Sequence, residues 1–161
     1  MEIGIGTGLN LPWYPSSVSF LIGLDPDPGM LAGAQTRLGT FRGSAQLELA
    51  NGEALPFHDA SFETVVGTLV FCTIPNPFRA LLEAARVLAP GGMVHLLEHV
   101  RSPVPLLGRF QDLITPVWSA VCGGCHPNRD TVRTVEAAGL RVVRRESYLG
   151  GLVVRLEAIR D

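Results

Sequence analysis

The chain is predicted to fold as a single α/β domain, with a mostly parallel sheet and helices on both of its faces. Three observations predict it. Short runs rich in Val, Ile and Leu alternate with helical patterns along the chain, as successive βα units require. Glycines gather directly behind the first such run, at Gly4, Gly6 and Gly8. The last two apolar runs flank Gly150-Gly151, which reads as a hairpin turn and reverses one strand, making the sheet mixed.

In chain order, strands are expected over Met1–Ile5, Ser17–Leu24, Ala45–Ala50, Thr64–Cys72 and Met93–His99, each followed by turn-forming residues. The paired final runs, Leu140–Tyr148 and Leu152–Arg160, bring the strand count to about seven. Helices are expected over Met30–Leu38, Pro77–Leu88, Leu106–Val121 and Arg129–Ala138, with Pro90-Gly91-Gly92 a sharp break ahead of the fifth strand. The apolar stretch from Val104 to Cys122 carries Arg109, Gln111, Asp112 and Pro116, which suits a buried or amphipathic helix and not a membrane span.

Composition narrows the function classes. With 161 residues the chain is one domain in length, and it can bury a substantial core. Only 17% of its residues are charged, the net charge is -2, and the sequence has no lysine. Nothing in this pattern offers a basic stripe for a phosphate backbone, so nucleic acid is a poor partner and a neutral or apolar small molecule a better one, including one derived from a membrane. Three cysteines and no secretory pattern suit a reducing compartment, and the expected location is cytoplasmic.

The turn Glu2-Ile3-Gly4-Ile5-Gly6-Thr7-Gly8 follows a strand, and its glycines let the backbone approach a ligand without a Cβ in the way. A dinucleotide fingerprint requires Gly or Ala at position 9, where Leu9 stands, so a nicotinamide-dependent oxidoreductase is disfavoured. The second strand ends in Gly23-Leu24-Asp25-Pro26, where a carboxylate can accept hydrogen bonds from both hydroxyls of a ribose; the alternative is that Asp25 caps the next helix. The third strand runs into Asn51-Gly52-Glu53, a side-chain amide and free backbone groups suited to an adenine edge. Open α/β sheets bind ligands beyond the carboxyl ends of their strands, so these three turns are expected to share one crevice.

The segments EIGIGTG, GLDP, NGEALPFHDASFETVV and LLEAARVLAPGGMVHLLEH together resemble the class I methyltransferase superfamily that contains the ubiquinone and menaquinone C-methyltransferases. Within it, TLVFCTIPN, the EHV after the fifth strand and the later W-x(6)-C-H-P-N-R-D-T are most similar to the thiol S-methyltransferases and their bacterial relatives. The resemblance implies a Rossmann-like fold with a seven-stranded mixed sheet and S-adenosylmethionine as cofactor. It implies that Glu2, Gly4, Gly6 and Gly8 surround the methionine part, that Asp25, flanked by Pro26 and Met30, holds the ribose, and that Asn51, Gly52 and Glu53 face adenine. Thr68 and Leu69 fall beneath the sulfonium, or simply pack within the fourth strand. Relatives carry an N-terminal segment that begins the first strand and covers the cofactor. Its expected absence here predicts weakened cofactor affinity.

Methyl transfer from a sulfonium is an in-line displacement whose leaving group needs no acid, so alignment and exclusion of water are the protein's main contributions. A thiol acceptor is the first expectation and a quinone-like or lipid-like carbon or amine the second, with a non-catalytic cofactor-binding module as the rival from another class. His99 is the candidate base, unless it or Glu98 merely orders the loop that follows. The Asn128-Arg129-Asp130 turn either caps the next helix, with Asn128 as the cap, or, by resemblance, closes over an acceptor pocket with Phe110 and Trp118. Cys122-Gly123-Gly124-Cys125-His126 has the form of a haem-attachment motif, but no exporting context accompanies it. As a zinc site it offers three ligands with no clear fourth, so no metal is expected; a redox pair stays open.

Overall fold

A computed structural model describes residues 1–161. Seven strands, β1 (Glu2–Ile3), β2 (Phe20–Asp25), β3 (Ser44–Leu49), β4 (Phe62–Thr68), β5 (Leu88–His99), β6 (Arg141–Tyr148) and β7 (Val153–Ile159), form one sheet in the order β3-β2-β1-β4-β5-β7-β6. Neighbours from β3 to β5 pair in parallel, and β7 alone runs against both its neighbours. Four α-helices complete the chain: α1 (Pro28–Arg37), α2 (Pro77–Val87), α3 (Pro105–Val121) and α4 (Thr131–Ala137). The expected mixed seven-stranded sheet with one reversed strand is therefore present.

Side-chain alternation along the strands divides the core between the two faces. Ile3, Leu24, Val65, Val94 and Leu96 pack with Leu81, Ala84 and Val87 of α2 and Val135 of α4. On the other face Ile5 and Leu21 pack with Ala34 of α1, Leu11 and Phe41. Each such leucine or valine taken from water contributes about 1.5–3 kcal/mol.

The helix starts explain several shifts from the expected boundaries. Asp27, not Asp25, caps α1, accepting hydrogen bonds from Gly29 N at 2.7 Å and Met30 N at 3.4 Å. Pro28 at the first helical position is compatible with the cap, since its missing N–H would be unpaired there in any case. Asn76 caps α2 through Arg79 N, and Asp130 caps α4 through Arg133 N. Asn128 is not a cap; its amide donates to Asp112.

Three other expectations change. Pro90-Gly91-Gly92 is not a break ahead of β5 but an irregular stretch inside it: α2 passes directly into Leu88, and the pairing with β4 jumps from Phe62–Leu88 to Thr64–Met93. β4 stops at Thr68, not Cys72, because Leu69 adopts a left-handed conformation with φ 53°. Helix α3 is amphipathic but turns much of its apolar stripe outward: Leu106, Phe110, Leu113, Val117 and Val121 are exposed. Its buried residues are Gly108, Gln111 and Thr115, and Gln111 accepts from Ser102 N and donates to the carbonyls of Val100 and Pro127, using the whole amide. No helix is long and apolar enough to cross a membrane.

Candidate active site

The strand order reverses between β1 and β4, and a cavity of about 650 Å³ opens at that point, beyond the carboxyl ends of β1 to β4. Its walls include Gly4 and Gly6 from the first turn, Asp25, Pro26 and Met30 from the second, Asn51 and Gly52 from the third, and Thr68 and Leu69 from the fourth. The expected convergence of separate strand ends on one crevice is thus seen for nine of the predicted residues.

The glycines of the first turn do different work. Gly6 has φ 55°, and a Cβ built there meets nothing within 4 Å, so its bare backbone faces open cavity. At Gly4 the same Cβ would lie 2.3 Å from Val70 Cγ2, and at Gly8 2.8 Å from Leu11 Cδ1 and 3.1 Å from the Ala34 backbone. Gly8 is required by packing against α1 and does not line the cavity.

Asp25 ties two turns together: Oδ2 accepts from Gly6 N and Oδ1 from Asp27 N, both at 3.0 Å. Each oxygen keeps lone-pair capacity for a ligand hydroxyl. Asn51 Oδ1 accepts from Glu53 N at 2.9 Å, which leaves the amide NH2 for a ligand. Beneath Leu69 lies Glu98, fully buried at the end of β5, whose two oxygens accept from Val70 N, Phe71 N and Cys72 N at 2.9–3.0 Å. Burial pushes its pKa upward, and the three N–H donors oppose that shift. Glu98 is thus the clamp that holds the floor of the cavity in its irregular course. Strand alternation points it away from His99.

Four predicted residues lie elsewhere. Glu2 is 1% exposed, and its carboxylate accepts from Asn10 at 2.7 Å and the Tyr14 hydroxyl at 2.8 Å, so it braces the turn instead of lining the cavity. Burial raises its pKa, with Tyr14 and Asn10 opposing. Gly8 packs as described, and Glu53 accepts from Asn76 N at 3.1 Å, joining the third turn to α2. Arg129 donates to the carbonyls of Phe71 at 2.5 Å and Ile74 at 2.6 Å; it pins the segment after β4 and is no pocket wall.

His99, Phe110 and Trp118 do come together. They line a second cavity of about 250 Å³ with Leu107, Ile114 and Leu152, where β5 ends and β7 begins. His99 Nδ1 lies 3.4 Å from Cys125 Sγ, and Cys125 Sγ lies 3.5 Å from Cys72 Sγ. The Cys-x-x-Cys-His segment is therefore not a unit: Cys122 is exposed, His126 Nδ1 meets the Gly124 carbonyl, and Cys125 pairs with residues from two other segments. Cys72 belongs to this grouping, and no local pattern in the sequence marks it. Burial first, and Glu98 second, push the Cys72 thiol well above its ordinary range.

A profile of the methyltransferase domain family matches residues 1–107. The thiol S-methyltransferase TMT1B of Rattus norvegicus is 34% identical over 153 residues, covering 91% of this chain and 61% of that protein. The human thiol S-methyltransferase TMT1A is 32% identical over 145 residues, covering 86% and 58%. The phosphatidylethanolamine N-methyltransferase of Cereibacter sphaeroides is 35% identical over 123 residues, covering 71% and 60%. The chain thus spans about 60% of the length of these relatives. Among solved structures, the [4+2]-cyclase SpnF matches with TM-score 0.81 at 16% identity, covering 99% of this chain and 73% of that one. A SAM-dependent methyltransferase of Methanosarcina mazei matches with TM-score 0.76 at 22% identity, covering 99% and 90%. The two likenesses concern the fold, which alone does not select a chemistry.

Proposed function

Because the chain belongs to the methyltransferase domain family, we propose that it moves a methyl group from S-adenosylmethionine to a small apolar acceptor, with a thiol as the acceptor class. S-adenosylmethionine is the cofactor that family membership implies. The residues present fit it, and the observation that carries the reading is the cradle at Gly6: a bare, left-handed backbone turn facing open cavity, hydrogen-bonded to an aspartate with lone pairs to spare. Asp25 would hold the ribose hydroxyls, the Asn51 amide and Gly52 backbone would meet the adenine edge, and Gly4, Thr68 and Leu69 would face the methionine part. Leu24 and Met30 supply apolar wall.

When bound, the cofactor supplies an activated methyl on sulfur, and the protein's task is alignment and exclusion of water. The acceptor would occupy the apolar cavity of His99, Phe110, Trp118 and Leu152. With the His99 ring proton on Nδ1, toward Cys125, Nε2 is left to take the proton of an acceptor thiol. A thiol reference pKa near ~8.5 makes such help small but useful at neutral pH. The similarity to proteins named thiol S-methyltransferases favours this acceptor over a lipid amine, which the Cereibacter relative's name represents.

The test pairs binding with turnover. Calorimetric titration should show saturable binding of S-adenosylmethionine and its demethylated product but not of NAD, and a panel of alkyl and aryl thiols should yield S-methylated products by mass spectrometry. Binding without methylation of any thiol, amine or phenolic carbon supports a cofactor-binding module instead. Methylation of an amine but no thiol overturns the acceptor class alone.

A further inference from the structure

We propose that Cys72, His99 and Cys125 form a binding site for a single thiophilic metal ion, with zinc as the fitting example. Their ligand atoms, two Sγ and one imidazole nitrogen, all lie within 4.8 Å of one another. A tetrahedral zinc with bonds of ~2.3 Å to sulfur and ~2.0–2.1 Å to nitrogen sets its ligands roughly 3.5–3.8 Å apart. The observed Cys72–Cys125 and Cys125–His99 separations, 3.5 and 3.4 Å, meet that spacing with small adjustments of the side chains.

The fold brings these ligands together from three separate segments of the chain. Cys72 follows β4 and is held by Glu98 through its N–H; His99 ends β5; Cys125 lies in the loop after α3. That loop is tied to the β4 segment by His126 N donating to the Cys72 carbonyl at 2.7 Å. Cys72 and Cys125 are buried, while His99 is half-buried and also walls the apolar cavity, which provides a route in for an ion.

Charge and ligand type agree. Two thiolates and one neutral imidazole balance a divalent ion, so the loaded site is neutral in a largely buried place, and two thiol protons leave to solvent for each ion bound. Glu98 and Arg129, of opposite sign, flank the sulfurs. Three protein ligands leave a fourth position to water or an exogenous ligand, as in open zinc sites. The site does not depend on which acceptor the protein methylates. It does alter His99: with the ion on Nδ1 the ring proton stays on Nε2, so the loaded site cannot use that nitrogen as a base.

The test is a titration of the full chain, reduced with a phosphine, with cobalt(II) as the spectroscopic probe and zinc as competitor. One ion per chain should bind, with a thiolate-to-cobalt charge-transfer band and the visible bands of a tetrahedral ion, and zinc should displace it. Cys125→Ser and His99→Ala should each weaken binding at least tenfold, while Cys122→Ser leaves it unchanged. His99 is half-buried, so its variant keeps the test decisive if a cysteine variant does not fold. Absence of the thiolate band, binding indifferent to Cys125→Ser and His99→Ala, or loss of binding on Cys122→Ser overturns the proposal. So does a Cys72–Cys125 disulfide that persists under the reductant.

Discussion

The backbone N–H of Gly6 donates to Oδ2 of Asp25 at 3.0 Å, so the glycine turn after β1 and the carboxylate at the end of β2 hold each other in place. The two features of the sequence that most suggested a cofactor cradle are in direct contact. Asp25→Ala removes both this bond and the one from Asp27 N, along with the charged partner proposed for the ribose. With charge-assisted hydrogen bonds contributing ~1.5–3 kcal/mol each, the dissociation constant for S-adenosylmethionine should rise tenfold or more. An unchanged constant by calorimetry would remove Asp25 from the site.

Two glycines of the first turn, Gly6 and Gly8, should separate binding from stability. Ala at Gly6 meets no atom, so Gly6→Ala costs only the left-handed backbone, about 1–2 kcal/mol, while its methyl fills the cradle and cofactor affinity falls at least tenfold. Gly8→Ala collides with Leu11 and the Ala34 backbone and should lose about 2–4 kcal/mol of folding stability. Urea unfolding and cofactor titration on both variants check the contrast; equal effects on both quantities would contradict it.

Glu98→Ala leaves three N–H groups without their acceptor, two of them in fully buried bonds. A loss of about 3–5 kcal/mol in folding stability is expected, from unpaired buried donors and a cavity. At temperatures where the variant remains folded, cofactor binding should weaken as well, because Val70 at the cavity floor loses its anchor. A variant that melts within a degree or two of the parent would show the clamp to be unimportant.

Glu2 provides a pH signature. Its pKa in the folded chain is raised by burial above the ordinary 4.5, so the folded state holds the proton more tightly than the unfolded one. The resulting stabilisation is complete below the unfolded value and is lost as pH rises through the folded one. Glu2→Gln deletes this contribution while keeping hydrogen-bonding groups for Asn10 and Tyr14. Its unfolding free energy should therefore fall less steeply than the parent's as pH rises above about 4.5 toward neutrality. Parallel profiles from urea titrations at several pH values would sink the assignment.

Much of the fold was legible because its signals are local. The Val- and Ile-rich runs, the proline opening α2, and Gly150-Gly151 each act within a few residues, and local signals of this kind locate every strand and helix to within a few positions. The errors arose where a distant partner overrules local pattern. Thr64–Cys72 reads as one continuous strand, yet Glu98, far along the chain, captures the three N–H groups after Leu69 and ends it early. Gln111 looks like an interruption in an apolar helix, yet it is buried and hydrogen-bonded to two other segments, the Val100–Ser102 stretch and Pro127.

The amino-acid order by itself determined the alternation of strands and helices, the glycine turn and the acidic strand end beside it, because backbone conformation and hydrophobic period are set by neighbouring residues. Only tertiary structure decided that Cys125 faces Cys72 and His99 instead of Cys122, that Arg129 holds carbonyls instead of a ligand, and that Glu2 braces a turn. Side-chain partners separated by 53 residues, as Cys72 and Cys125 are, meet only when strand order and loop docking bring them together, and no local period encodes that distance.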